Sequence, residues 1–482
     1  MFVISGLRYI HPLTNDSQTT TGLFSTTVQP TPVPTSELVL PPTDYFGPTD
    51  CYDFPDEFIF GVAGSAAQIE GAIALDGRSP SLLEKLITGD KPRDYVTNEN
   101  YFLYKQDIQR VAAMGVEYYS FTIPWTRILP FVLPGTPVNK QAIDHYNDLI
   151  STVLDAGMQP VVTMLHFDSP LIFVNYGKVL LTHFSDRVPI WVTFNEPLLY
   201  AFNFQGVDNV VHAHAQVYHF YHDELKGTGK MGLKFNDNFG VPKDPKNASH
   251  VQAANRFQEM QLGFFADPIY LGKQYPDSVL NTLPGARRLN DTELTYINKT
   301  ADFFGIDAYT ATVVSPADEG IAACASNPSS SNSLFPYCVN QETTNRYGWN
   351  IGYRSASYVY ITPTYLREFL FNIYNVWKHP IILSEFGFPV YNESTKDLPD
   401  QLFDSPRSQY YLSFMSEVLK SIYEDGVEVI GALAWSFADN WEFGDYSQQF
   451  GMQVVNRTTQ KRSYKKSFFD LVDFVKTRQP LN

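Results

Sequence analysis

Apolar positions along this chain fall into eight short runs, at residues 58–67, 118–125, 159–167, 190–195, 231–236, 303–310, 380–386 and 429–437. Between them the apolar residues take helical spacing. After Asn139, for example, Ile143, Tyr146, Leu149, Ile150, Val153 and Leu154 recur at three- and four-residue steps, and Gly157 follows as a stop. Residues 100–114 repeat the pattern through Tyr104, Ile108, Val111 and Ala112 before Gly115, and 407–424 and 463–475 give two further helices. Strand runs alternating with helices predict a parallel α/β sheet, and eight strands are the number that closes a (β/α)8 TIM barrel. One interval fits poorly. Residues 176–185 offer at most a short helix, and 198–209 form a brief connection. Either a short helix covers the wall or the helix layer is incomplete around 171–209, because an uncovered strand exposes its apolar face.

The remaining stretches read differently. Residues 1–50 are rich in Thr, Pro and Ser, lack an apolar period, and are expected to be a disordered segment ahead of one barrel domain over 51–482. Residues 312–360 carry Ser, Asn and Gly clusters and read as a long rim loop.

Composition narrows the partners. A hydrophobic content of 44% over 482 residues is ample for a large core, and a net charge of −16 argues against nucleic acid and anionic membranes. No apolar run is long enough to span a membrane, and the first eight residues are too short and broken for a signal peptide. Asn-x-Ser/Thr triplets at Asn15, Asn247, Asn290, Asn298, Asn392 and Asn456, with the Thr/Pro-rich head, lean towards a secreted glycoprotein rather than a cytoplasmic protein. Cys324 and Cys338 flank a Ser/Asn/Pro loop and can close a disulfide or remain thiols.

The candidate chemistry lies at the ends of the apolar runs. Thr193-Phe194-Asn195-Glu196-Pro197 and Ile382-Leu383-Ser384-Glu385-Phe386-Gly387 each place one glutamate there. A carboxylate at a buried strand end is costly unless it is paired or performs chemistry. Two facing carboxylates are what glycosidic bond cleavage uses. Other runs end in Gln68-Ile69-Glu70-Gly71, His166-Phe167-Asp168 and Asp307-Ala308-Tyr309, and the last enters Trp435-Ser436-Phe437-Ala438-Asp439-Asn440-Trp441-Glu442. Such amides, imidazoles and carboxylates suit the vicinal hydroxyls of a sugar, and Trp435 or Trp441 can pack on its apolar face. Glu70 reads as a pairing group, and Asp439 and Asn440 as turn formers.

The blocks Phe54-Pro55-Asp56-Glu57-Phe58-Ile59-Phe60-Gly61, Gln68-Ile69-Glu70-Gly71-Ala72 and Asp76-Gly77-Arg78-Ser79-Pro80-Ser81 resemble the opening of glycoside hydrolase family 1. The resemblance runs on through 193–197, 302–309, 384–387, 435–443 and 450–451. It implies a retaining β-glycosidase that hydrolyses terminal β-D-glucosyl or related residues of a small β-glycoside or oligosaccharide, without metal or cofactor. By position, Glu196 matches the general acid/base and Glu385 the nucleophile. Asn195 matches the residue bonding the sugar 2-hydroxyl, and Gln68, His166 and Glu442 match residues holding other hydroxyls. Trp435 matches the stacking platform, and Tyr309 the tyrosine that bonds the nucleophile. Retention implies carboxyls about 5–5.5 Å apart.

The chain also departs from the family pattern. Ser120 stands where an arginine near the nucleophile is usual, Phe386 and Asp307 where asparagine is usual, Asn100 for a histidine and Phe443 for a tryptophan. Two alternatives therefore remain open: a catalytically impaired carbohydrate-binding member of the same fold, and a transglycosidase.

Overall fold

In the computed structural model, the described residues are 30–38, 52–81, 96–131, 135–167, 173–201, 203–236, 238–329 and 331–479. The eight apolar runs form strands β1 (Ile59–Ala63), β2 (Tyr118–Thr122), β3 (Gln159–Leu165), β4 (Ile190–Asn195), β5 (Lys230–Asn236), β6 (Phe303–Asp307), β7 (Ile381–Phe386) and β8 (Val429–Trp435). All pair in parallel, in the spatial order β1-β8-β7-β6-β5-β4-β3-β2, and close on themselves. Ile59, Val161, Ile190, Val192, Phe303, Ile382 and Leu433 point inward and fill the barrel floor. Alternate residues such as Trp191 and Phe304 face outward onto the helices.

The helices follow in turn: α1 (Asn100–Ala113), α2 (Lys140–Asp155), α3 (Phe173–Phe184), α4 (Phe204–His219), α5 (Ala248–Gln258), α6 (Pro363–Trp377), α7 (Ser405–Tyr423) and α8 (Lys466–Lys476). The start of α2 is set by Asn139, whose side chain accepts a hydrogen bond from the Ala142 amide. Gly157, at φ +79°, turns the chain after α2 where a Cβ would be strained. An incomplete helix layer around 171–209 is not what forms. The 12-residue α3 buries Tyr176, Gly177, Leu180, Leu181 and Phe184 against the wall, and α4 covers the next strand. Gly177 allows this closeness, since a Cβ there would meet Val217 at 2.9 Å.

The stretch 312–360 is more ordered than its composition suggests. Ala311–Pro316 pairs with both Phe239–Pro242 and Val339–Glu342 in a small sheet, and Cys324 is disulfide-bonded to Cys338. These strands are too short to show a period, yet Val313, Val314 and Val339 are buried. Within the head, residues 35–37 make one turn and Glu37 pairs with Arg110 at 2.6 Å. Residues 1–29 and 39–50 of the expected disordered segment, and Asp168, lie outside the described residues.

Two features fix the rim around β8. The first and last barrel strands are joined from Ile59↔Gly431 to Ala63↔Trp435, and beyond them the Trp441 amide donates to the Gln68 carbonyl at 3.3 Å. Beneath, Arg407 pairs with Asp404 and Glu393, and Lys465 lies 2.8 Å from both Glu393 and Asp439. This buried cluster ties the segment after β8 to α7 and α8. Asp439 also accepts the Gly451 amide at 2.9 Å, so it is the structural residue its turn setting suggested.

Candidate active site

β4 ends at Asn195, and Glu196 then adopts a left-handed backbone (φ 46°, ψ 52°) before Pro197 opens a short turn. The Glu196 amide donates to the Lys234 carbonyl on β5 at 2.8 Å, which holds this bend. The bend turns the carboxyl away from strand alternation, at a conformational cost that functional sites commonly carry. Burial, followed by the negative charges of Asp307 and Glu385, pushes the Glu196 carboxyl well above the usual carboxylate range.

Glu385 lies on β7 and is buried. Its Oε2 accepts the Tyr309 hydroxyl at 2.9 Å, and its Oε1 lies 3.2 Å from the Lys234 ammonium. Asp307, in register with Glu385 on β6, accepts the Ser384 hydroxyl at 2.7 Å. Burial and the neighbouring Glu385 charge push Asp307 well above its usual range, towards the neutral acid. A neutral Asp307 is close in shape and charge to an amide.

The remaining candidates form one contiguous wall. Asn195 Nδ2 lies 3.5 Å from His166 Nε2, and the His166 ring stacks on Trp435 with centroids 5.7 Å apart at 16°. The Trp435 indole bonds Glu442, whose carboxyl burial pushes up to about 8. Burial and then Lys234 hold the His166 ring well below its usual value, so it is neutral. Gln68 lies in a short turn after β1, joined to this wall through the Trp441 amide. Both amide atoms of Gln68, Asn195 Oδ1 and Glu442 Oε1 are out of contact with solvent and find no partner among the described residues. Buried polar atoms left this way are costly unless something bonds them.

Other expectations resolve into structure. Glu70 is a pairing group: it takes the Tyr146 hydroxyl at 2.6 Å and Arg127 at 3.2 Å. Phe386 is fully buried on the outward face, its ring 5.4 Å from that of Tyr411 on α7, so this departure leaves the pocket untouched. Asn100 bonds Asp107 at 2.9 Å, within the wall of α1. Phe443 packs on Phe167 at 5.1 Å.

Two pocket residues escaped sequence reasoning. Lys234 is the inward residue of Gly232-Leu233-Lys234-Phe235-Asn236, and a lysine amid a buried strand was the available signal. Tyr358, exposed at the mouth with its ring 6.2 Å from Tyr309, comes from a stretch with no periodic pattern.

The sequence model described as glycosyl hydrolase family 1 matches residues 51–205 and 200–480, nearly the whole described barrel. The chain belongs to glycosyl hydrolase family 1. The two matched pieces meet near residue 200, where the connection after β4 is short. Family 1 relatives include β-glucosidase 34 of Oryza sativa subsp. japonica, 31% identical over 86% of this chain and 90% of its own length. β-Glucosidase 1B of Phanerodontia chrysosporium is 29% identical over 86% of this chain and 84% of its own length. Among solved family 1 structures, the β-glucosidase of Trichoderma harzianum superposes with a TM-score of 0.83 at 28% identity, covering 90% of this chain and 99% of that one. A rice β-glucosidase mutant, solved in a covalent complex with glucose, has a TM-score of 0.81 at 29% identity, covering 88% and 99%.

Proposed function

We propose that this chain is a retaining β-glycosidase that hydrolyses terminal β-D-glucosyl residues of small β-glycosides or oligosaccharides by double displacement. The observation carrying this reading is the opposite treatment of two strand-end carboxyls. Glu196 is pushed towards its protonated form by burial and negative neighbours, while Glu385 faces an ammonium and a phenol donor. That division is what an acid and a nucleophile need at the same pH.

Ionised Glu385 attacks the anomeric carbon as Glu196 passes its proton to the departing glycosidic oxygen. The bond from Glu385 to the sugar neutralises one of the charges that hold Glu196 protonated. Glu196 then releases its proton more readily and serves as base towards water, and attack of that water frees the sugar and restores Glu385. Asn195, Gln68, His166 and Glu442 supply the hydroxyl contacts, and Trp435 the apolar face. Hydrolysis of an aryl β-glucoside by the native protein, and its loss by a factor of about 10⁴ or more in Glu385→Ala, tests the assignment. A 2-deoxy-2-fluoro glucoside should label Glu385; labelling elsewhere, or an active Glu385→Ala, refutes it.

The disulfide and the exposed triplet asparagines Asn247, Asn290, Asn392 and Asn456 support a secreted glycoprotein. Among the described residues, no helix is long and apolar enough to cross a membrane. A mass loss after enzymatic removal of N-glycans from the natural protein checks this.

A further inference from the structure

Ser120 on β2, in place of an arginine, leads to the expectation of a nucleophile without a cation. The structure supplies a cation from another strand. Lys234 projects from β5 into the barrel just above its apolar floor, where it and Ser384 border Ile59, Val161, Ile190, Val192, Phe303, Ile382 and Leu433. It is 2% exposed, and its ammonium lies 3.2 Å from Glu385 Oε1. Among the described residues, this is the one ion pair made to any of Glu196, Asp307, Glu385 and Glu442. A lysine in such surroundings is expensive to bury unless a carboxylate faces it.

We propose that Lys234 is the charge-holding residue of this site: its ammonium keeps Glu385 ionised and aimed at the anomeric carbon, while its carbonyl fixes the bend of Glu196. This inference rests on the assignment of Glu385 as nucleophile. The two roles are linked by backbone, because the residue that pairs with one glutamate also accepts the amide of the other. A single shift of β5 would therefore misplace both carboxyls together.

The groups facing Glu385 come from every neighbouring element. They are Lys234 on β5, Asp307 on β6, Tyr309 beyond it, Glu196 after β4, Glu442 after β8 and Tyr358 at the mouth. His166 lies close enough to Lys234 to feel its charge, and is held neutral partly for that reason. Of these groups Lys234 alone brings an ammonium to Glu385, so removing it leaves Glu385 with the Tyr309 phenol as donor and several acidic neighbours.

Lys234→Met and Lys234→Gln decide the matter, with Lys234→Arg as the charge-conserving control. For Lys234→Met, kcat/KM on an aryl β-glucoside should fall about 100-fold. The acid limb of its pH profile should move up by about 1–2 pH units, and labelling by the fluoroglucoside should slow in parallel. Lys234→Gln keeps a donor without charge, so it holds the fold if Met does not; it should show the same shift of the acid limb. Lys234→Arg keeps the charge, so whatever its activity its acid limb should stay at the native position; a limb raised as far as in Lys234→Gln overturns the proposal. A native acid limb in Lys234→Gln or Lys234→Met overturns the proposal. If the native protein hydrolyses no β-glycoside, it is the functional assignment that fails. The Lys234 pairing is then read from the carboxyl-carbon NMR titration of Glu385, where superimposable curves for native protein and Lys234→Gln overturn it and an upward displacement in the variant supports it.

Discussion

Replacing Glu442 by Gln should make the protein more stable and a poorer catalyst, with a stability gain that grows with pH. Glu442 Oε1 has no partner among the described residues, and burial pushes the carboxyl from 4.5 to about 8 against the opposing bond from the Trp435 indole. Well below pH 4.5 the group is neutral folded or unfolded, and its ionisation adds no penalty. Above that, folding must take up a proton, and the penalty rises until pH 8, where it levels off. At 1.36 kcal/mol per unit the penalty at pH 7 is at most about 3 kcal/mol, and at pH 9 about 5 kcal/mol. With an unfolding entropy of about 2.1 cal/mol/K per residue, each kcal/mol moves the Tm of this chain by about 1 °C. Calorimetry of Glu442→Gln against the native protein should therefore show gains under about 1 °C at pH 5, about 3 °C at pH 7 and about 5 °C at pH 9. Over the same variant, kcat/KM for a glucoside should drop about 10- to 100-fold, because a bound sugar hydroxyl donates more strongly to a Glu442 carboxylate than to an amide, and the amide cannot ionise. A Tm difference independent of pH, or a variant less stable at pH 9, refutes the reasoning. Such a gain is the expected mark of a group kept for binding at the expense of the fold.

Tyr309→Phe removes the phenol donor bonded to Glu385, worth about 2 kcal/mol for a bond to a charged acceptor, and should lower kcat/KM about 30-fold with Tm nearly unchanged. Asp307→Asn should keep kcat/KM within about threefold at pH 5–6, because a neutral Asp307 already resembles an amide and the carbonyl still accepts from Ser384. A loss beyond about tenfold would show that the Asp307 charge is used.

The barrel was legible because each strand is buried on both faces and so reads as an apolar run, as in Ile190-Trp191-Val192. The wall residues Gln68, His166, Asn195, Trp435 and Glu442 were legible from their shared address at strand ends. Lys234 was not, because inward position depends on strand register and its partner Glu385 is far away in sequence. The cover over 171–209 was obscured because α3 starts beyond a stretch without helical pattern and reads as a fragment when only its centre is seen. The small sheet near the disulfide stayed hidden because its strands come from two distant parts of the chain, Phe239–Pro242 and 311–342. The bend at Glu196 had one sequence marker, Pro197, but the bond to Lys234 that holds it is made in three dimensions.

The junction of β1 with β8 has a consequence during synthesis. Glu196 and Glu385 leave the ribosome before Trp435 and Glu442, so on the proposed assignment a growing chain carries its two carboxyls ahead of the wall that would seat a sugar. On that assignment a premature stop ahead of Glu442 is expected to yield an inert polypeptide, with activity arising only once β8 has paired with β1.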